Sequence, residues 1–453
     1  MKNIKDILPE RVLTEPEELF CYGFDASSYS KGLPCAVVRP VNTDEVSKIA
    51  DFGFKQGMSL VPRGAGSGMT AGSVPMENSI VLSFEAMNRI LDIDEENLVV
   101  VAEPGVINSH LQRALESKGL FYPPDPTSMD FCTLGGNVAE NAGGPRGLKY
   151  GVTRDYVLGL ELVLPDGRVI TTGVKTHKGV VGYDLTRLIV GSEGTLAFIT
   201  KIFLRVLPLP EETVTLLCIF PRLNKASTAV SRIIASGIIP GTLEFMDSGA
   251  INAVEDYKPF GLPRNAEALL LIEVDGPRSS VSEDTERIAS VCTSMGARVS
   301  VAADDFANQR LWEARRAVSP ALYRISPTKI NEDIVVPRSK IPDMLRLLKE
   351  TGNRHNLKIV NFGHAGDGNI HVNIMTDKKN REEYQRAMDA VNDIFEATIK
   401  LGGTISGEHG IGLTKKNYVG MELSQESIRL MTDIKKVFDP KGIMNPGKMF
   451  PSD

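Results

Sequence analysis

Pro62–Gly72 reads PRGAGSGMTAG, with glycine at 64, 66, 68 and 72 and one fixed charge, Arg63. An apolar run, Met58-Ser59-Leu60-Val61, precedes it, and Ser79-Ile80-Val81-Leu82-Ser83 follows beyond Pro75. The stretch is therefore expected to be a loop joining two strands. Glycine permits positive φ and lets a ligand approach the backbone closely. Successive N–H groups in such a turn form an anion-binding nest, and a diphosphate is its natural guest. Gly66–Ala71 also satisfies a loose nicotinamide-nucleotide fingerprint, but that fingerprint needs a helix directly behind it. Pro75 and the absence of helical periodicity argue against one. The alternative is a loop that binds nothing, and a second stretch of the same texture downstream weighs against it.

That second stretch is Pro123–Gly151, PPDPTSMDFCTLGGNVAENAGGPRGLKYG. Thr133, Asn137 and Asn141 stand among Gly135, Gly136, Gly143 and Gly144. A buried ligand with amide and carbonyl edges needs such donors and acceptors at short reach. Around the two stretches the chain alternates. A strand is expected at Cys35–Pro40, a helix from Thr43 to about Gly57 and a strand at Leu98–Ala102. A helix from Ile107 should stop at Gly119. Strands near Val157–Leu164 and Arg168–Thr172 form a hairpin across Pro165-Asp166-Gly167. Gly191-Ser192-Glu193-Gly194 leads into a strand from Ala197 to Val206, and Pro208 and Pro210 mark a boundary.

Beyond 213, strands such as Val214–Phe220 and Ala268–Val274 alternate with helices near 224–236 and 279–295, which suggests an α+β domain with an antiparallel sheet. The tail from about 424 to 438 is expected to be helical. The expected division is 1–209, 210–423 carrying a metal site, and 424–453 returning to the first part. A chain of 453 residues has room for this.

A net charge of −6 argues against nucleic acid as the main partner, leaving room for local basic pockets. Cysteines at 21, 35, 132, 218 and 292 form no C-x-x-C, so no zinc knuckle or iron–sulfur cluster is encoded, and they point to a reducing compartment. The N-terminus has neither an apolar h-region nor an Arg-rich presequence. No run approaches the roughly 18 apolar residues of a membrane span. The expectation is a cytoplasmic protein that meets a membrane only through partner subunits.

Of six histidines, three lie in two glycine-flanked segments: Asn361–Ile374, NFGHAGDGNIHVNI, and Gly402–Gly410, GGTISGEHG. Asp367-Gly368 is a turn signal, and Ile370–Ile374 alternates as a strand that places His371 and Asn373 on one face. A hairpin would bring His364 beside His371. Two histidines and a carboxylate make a borderline-soft divalent site that suits Zn²⁺, Mn²⁺, Fe²⁺ or Co²⁺. Satisfied core or turn histidines are the plain alternative.

The stretches PRGAGSGMTAG, CTLGGNVAENAGG and GYDLTRLIVGSEGTLAFIT, together with the histidine segments, resemble the FAD-linked 2-hydroxy-acid dehydrogenases. That group includes the glycolate oxidase flavin subunit and the D-lactate and D-2-hydroxyglutarate dehydrogenases, within the vanillyl-alcohol-oxidase type. The resemblance covers almost the whole chain. It implies an α+β fold: a two-part FAD-binding domain and an α+β substrate (cap) domain with an antiparallel sheet. It implies that Arg63, Gly64, Ala65, Gly66, Ser67, Gly68 and Thr70 cradle the FAD diphosphate. Pro126, Thr133, Gly136, Asn137, Asn141, Gly143, Gly144 and Gly151 would line the rest of the cofactor. Glu193, Gly194 and Ile199 would follow on the adenine side, and Asn445 would return from the C-terminus. No histidine lies in the first loop, so the FAD is expected to be non-covalent. His110 and His177 are expected to be structural or exposed.

The resemblance further assigns His364, His371 and Glu408 as metal ligands and His409 as the catalytic base. Arg315 matches the carboxylate-binding arginine. Ser319, Lys329 and Asn373 stand as further substrate contacts, and Arg315 and Lys329 also count with His409 as catalytic. The implied reaction is oxidation of a D-2-hydroxy acid, D-lactate or glycolate, to the 2-oxo acid. Hydride passes to flavin N5, and electrons leave to an external acceptor or a redox partner subunit in a homo- or hetero-oligomer. Two other classes compete. A metal-dependent hydrolase or oxygenase leaves both glycine-rich stretches unexplained. A non-catalytic flavoprotein subunit should lack the histidine pair and Glu408-His409.

Overall fold

The computed structural model describes residues 4–29 and 32–451. The chain divides into two compact units: Met1–Gly143 with Val152–Leu209 and Glu408–Asp453, and Gly144–Gly151 with Pro210–Gly407.

The first unit holds two principal sheets. One has four strands in the order Val12–Leu13, Ala36–Val38, Ile80–Ser83 and Leu60–Arg63, and its last three are parallel. The other is a five-stranded antiparallel sheet in the order Ile90–Asp94, Val99–Ala102, Phe198–Arg205, Val157–Val163 and Val169–Gly173. The helix Thr43–Gln56 starts at Asn42, whose side chain accepts the Glu45 N–H, and ends where Gly57 turns to φ 67°. Its apolar stripe, Val46, Ile49 and Ala50, packs on Leu60, Ile80 and Leu82 and also reaches Val163 and Phe198 of the second sheet. Ile443 and Met444 close the same core. The C-terminal segment is stitched on by backbone bonds from Leu60 N–H to Ile443 C=O (2.8 Å) and from Asn445 N–H to Leu60 C=O (2.8 Å).

The second unit is built on a seven-stranded antiparallel sheet. Across it run Arg298–Val301, Glu212–Phe220, Ala268–Gly276, Thr242–Asp247, Lys358–His364, Asn369–Thr376 and Thr328–Val335. The expected Asp367-Gly368 hairpin joins the fifth and sixth of these, and Gly368 takes φ 92°. The helices Ser248–Tyr257 and Asp305–Arg316 share a core with this sheet, through Ala250, Ile251, Val254 and Ala314 against Met246, Val360 and Phe362. The second helix begins at Asp304, which accepts the Ala307 N–H at 2.8 Å, and so delivers Arg315 in its last turn. No helix among the described residues is long and apolar enough to cross a membrane.

Candidate active site

In the first unit the strand Leu60–Arg63 ends directly in the glycine-rich loop, and no helix intervenes before the strand Ile80–Ser83. This removes the nicotinamide fingerprint, which needs that helix. Arg63 is buried. Its Nη1 donates to Ser73 Oγ at 3.3 Å, and its guanidinium lies 5.8 Å from the Tyr22 ring centre. The loop closes over that side chain. Gly66 has φ 68°, and a Cβ there would lie 2.1 Å from Arg63 Nη2.

The second stretch contains a helix that the sequence reading missed. Leu134–Glu140 starts at Thr133, whose hydroxyl accepts the Gly136 N–H at 3.2 Å, and ends at Asn141 with φ 55°. Two glycines in its first turn hide it from a periodicity reading, because their propensity is among the lowest. Gly135 is there for packing: a Cβ on it would lie 2.6 Å from Pro104 Cβ. The two stretches meet, since a Cβ at Gly64 would lie 2.2 Å from Thr133 Oγ1. Asn137 is buried, and its Nδ2 has no oxygen partner among the described residues. Asn141 Oδ1 accepts the Arg154 N–H at 2.9 Å. Asn445 Nδ2 donates to Gly72 C=O (3.1 Å) and Glu193 C=O (2.8 Å), which ties the C-terminus to the first loop. Beside it, Lys448 is buried and donates to Gly72 C=O, Val74 C=O and Asn445 Oδ1 at 2.6–2.7 Å. Burial pulls its pKa down to about 7 against the opposing charges of Asp25, Glu193 and Glu140.

Glu408 and His409 also belong to this unit and border the same stretches. Thr70 Oγ1 donates to His409 C=O at 3.1 Å. A Cβ at Gly143 would lie 2.6 Å from Glu408 Oε2, so glycine is what makes room for that carboxylate. Ile199 lies buried in the strand Phe198–Arg205. Pro126 C=O accepts the Met129 N–H at 2.8 Å in the bend before the Leu134 helix. His110 and His177 are exposed, as expected of them. Gly144 and Gly151 lie in the short segment that belongs to the second unit.

The second unit sets out a row of polar side chains on one sheet face. Directly opposed residues of an antiparallel pair share a face. Glu244 opposes His364, Phe362 opposes His371, and His371 opposes Asp333. Two steps along, Asn373 opposes Asn331 on the same face. His364 Nδ1 lies 2.5 Å from Glu244 Oε1, and His364 Nε2 lies 3.3 Å from His371 Nε2. Glu244 fixes the His364 tautomer by accepting the hydrogen bond from Nδ1–H, which leaves Nε2 as a lone pair aimed at the His371 nitrogen. A proton or a cation must stand between two such nitrogens. Nitrogens about 2.0–2.1 Å from one tetrahedral ion lie roughly 3.4 Å apart, so the histidine pair suits a metal. A carboxylate behind a ligand histidine is the usual support for such a site. Asp333 accepts the Gly407 N–H at 2.9 Å and lies 3.6 Å from His371 Nδ1. The chain then runs on to Glu408, about 3.8 Å further from Cα to Cα.

Arg315 Nη2 pairs with Glu244 Oε2 at 2.5 Å, and its guanidinium stacks 4.8 Å from the Phe362 ring centre. Burial alone would raise the Glu244 pKa, but Arg315 and His364 together bring it down to about 2. Arg315 is itself buried, and its Nε–H has no partner among the described residues. That donor is still available. Lys329 is also buried, with Nζ 2.5 Å from Ser319 Oγ, and burial lowers its pKa to about 8. Asn373 spends its carboxamide on the sheet: Nδ2 donates to Val360 and His371 C=O, and Oδ1 accepts from Asn331.

Glu244 and Asp333 escaped the sequence reading. Each lies on a strand whose neighbours in sequence give it no distinctive spacing, so no local signal marked it.

Comparison with known proteins adds two family matches: residues 34–173 match an FAD binding domain, and residues 209–449 match the C-terminal domain of FAD linked oxidases. The chain is 49% identical to glycolate oxidase subunit GlcD of Bacillus subtilis over 95% of this chain and 92% of that one. It is 38% identical to GlcD of Escherichia coli K12 over 97% and 88%. It is 34% identical to D-lactate dehydrogenase of Anaerostipes hadrus over 99% and 96%. Its fold matches p-cresol methylhydroxylase with a TM-score of 0.80 at 17% identity, covering 98% of this chain and 95% of that one.

Proposed function

This chain belongs to the family of FAD-linked oxidases, and from that premise we propose that it oxidises a small D-2-hydroxy acid, D-lactate or glycolate, to the 2-oxo acid. The relatives carry the names of glycolate oxidase and D-lactate dehydrogenase, which supports this substrate class. What supports an acid-oxidising site most directly is the Arg315–Glu244–His364–His371 chain. It sets a buried cation beside two imidazole nitrogens that face each other at 3.3 Å.

The Arg63–Thr70 loop, the Thr133–Gly144 stretch, Gly151, Gly194 and Asn445 would hold FAD non-covalently as the two-electron acceptor, and His364, His371 and Glu408 would hold a divalent cation, which would raise the acidity of the substrate hydroxyl. The protein's own residues do the rest. Arg315 binds the substrate carboxylate through its Nε–H, while Glu244 holds the guanidinium from the other side. Lys329, on Ser319, adds a second positive contact. His409 takes the hydroxyl proton as the Cα hydride leaves, so the acid loses one proton and one hydride and becomes the oxo acid. His364 stays in one tautomer because Glu244 keeps its Nδ1 proton. The electrons then pass to an external acceptor or a redox partner subunit; the word subunit in the relatives' names supports a complex.

An anaerobic visible spectrum, taken before and after addition of D-lactate and then glycolate, tests this. Flavin bands that bleach with one of them are the expected result. Bands that persist with every 2-hydroxy acid tried would remove the substrate class.

A further inference from the structure

His409 stands at the head of a tight turn whose backbone is held by two side chains within the first unit. Thr70 takes its carbonyl. Gly410 has φ 80° and Gly412 φ 52°, so the turn passes through two left-handed residues. The second hold is Glu193. Its Oε1 accepts the Ile411 N–H at 2.6 Å and its Oε2 accepts the Gly412 N–H at 2.7 Å. One carboxylate thus captures two consecutive amides, which is a strong and directional arrangement.

Glu193 is built for that reach. It is buried and takes φ 51°, a conformation that costs a side-chain-bearing residue energy. Its own N–H donates to Ala139 C=O at 2.8 Å, and its C=O accepts from Asn445. A strained backbone anchored at both ends aims the carboxylate at the turn. Gly410 has no room to move away: a Cβ there would lie 2.3 Å from Glu140 Oε2 and 3.0 Å from Glu193 Oε1. Burial raises the pKa of both carboxyls, and the charge of Glu193 adds to the rise at Glu140. The two amide donors pull Glu193 back, so of the two carboxyls its own rises less than that of Glu140.

We propose that Glu193 is a positioning residue for His409, fixing the Gly410–Gly412 turn through the two amides its carboxylate captures. This rests on the assignment of His409 as the base. It gives the Glu193 side chain a duty beyond lining the adenine end of the cofactor.

The test uses the FAD-loaded protein and Glu193→Gln, which keeps the volume but turns an amide donor toward one of the two N–H groups. Glu193→Gly, which relieves the positive φ, is the second variant. ¹⁵N-histidine spectra, with the His409 resonance identified by its loss in His409→Ala, should show that one signal move while the other five of the six histidines stay. In anaerobic stopped flow, the limiting rate of flavin reduction by the acid that bleaches the wild type should fall about 100-fold, the scale of a small misplacement. The half-saturating acid concentration should stay within about threefold, and dithionite should bleach the flavin fully in both proteins. An unmoved His409 signal, or a wild-type limiting rate in protein that has lost only melting temperature or FAD content, overturns the proposal. Loss of FAD in both variants with an unmoved His409 signal does the same. If no acid bleaches even the wild type while the His409 signal still moves, Glu193 positions the histidine and the reaction reading is what falls.

Discussion

In the proposed reaction, substrate recognition turns on Arg315. Its charge is already half spent on Glu244, so what it offers an incoming carboxylate is the unpartnered Nε–H. Replacing it by alanine removes a charge-assisted bond worth about 1.5–3 kcal/mol, so KM should rise roughly 10- to 100-fold. The visible flavin spectrum should not change, and unchanged steady-state kinetics would take Arg315 out of the site. Lys329 carries a pH signature. Burial holds its pKa near 8, against the ordinary 10.5. Above pH 8 the ammonium is lost, so affinity for the acid should weaken by up to about tenfold per pH unit. Stability runs the other way. Folding favours the neutral amine, so the contribution of Lys329 to stability grows as pH climbs from about 8 toward 10.5. Lys329→Met should flatten both trends, and a KM profile that still bends at pH 8 in this variant would assign the bend to another group.

At the scale of elements, the two glycine-rich stretches were legible because glycine and proline punctuate a chain locally, and the loop without a helix after Arg63 came out as expected. The helix Leu134–Glu140 did not, because the residues that let it pack also lower its propensity. Its cap offers a measurement. Thr133→Ala should cost about 1 kcal/mol in denaturant unfolding through the lost bond to Gly136, and FAD affinity should drop with it. Thr133→Ser should restore most of both; a serine variant as weak as the alanine one would trace the loss to the methyl group. In the histidine hairpin, the alternation that sets His371 and Asn373 on one face was readable from Ile370–Ile374. The carboxylate behind His364 was not. Glu244 lies 120 residues earlier, and strand pairing at that separation leaves no local trace. Asn373 shows the limit of facing as evidence: it shares the face of His371, yet its carboxamide is committed to Val360, His371 and Asn331.

For the whole molecule, the glycine-rich stretches and the histidine pair belong to different units, and each should answer to its own ligand. The glycine-rich stretches, with Lys448 and Asn445, are tied into the core of the first unit, which also takes in Ile443 and Met444. Anything that binds there in the folded state alone stabilises it by mass action. FAD at about 100 times its dissociation constant should add roughly 2.7 kcal/mol and raise the melting temperature by a few degrees. The histidine pair belongs to the second unit and needs no flavin to form. Exhaustive chelation should therefore leave the flavin spectrum intact while flavin reduction by the hydroxy acid slows by orders of magnitude, since the hydroxyl proton is then far harder to remove. Zn²⁺, Mn²⁺, Fe²⁺ and Co²⁺ added back singly should restore it to different extents, because geometry discriminates among them more than ligand type does. His371→Gln should copy the chelated state and resist rescue by every one of the four. Full-rate reduction after chelation, with metal content confirmed as negligible, would leave His364 and His371 as a hydrogen-bonded pair braced by Glu244, and deprotonation would fall to His409 alone.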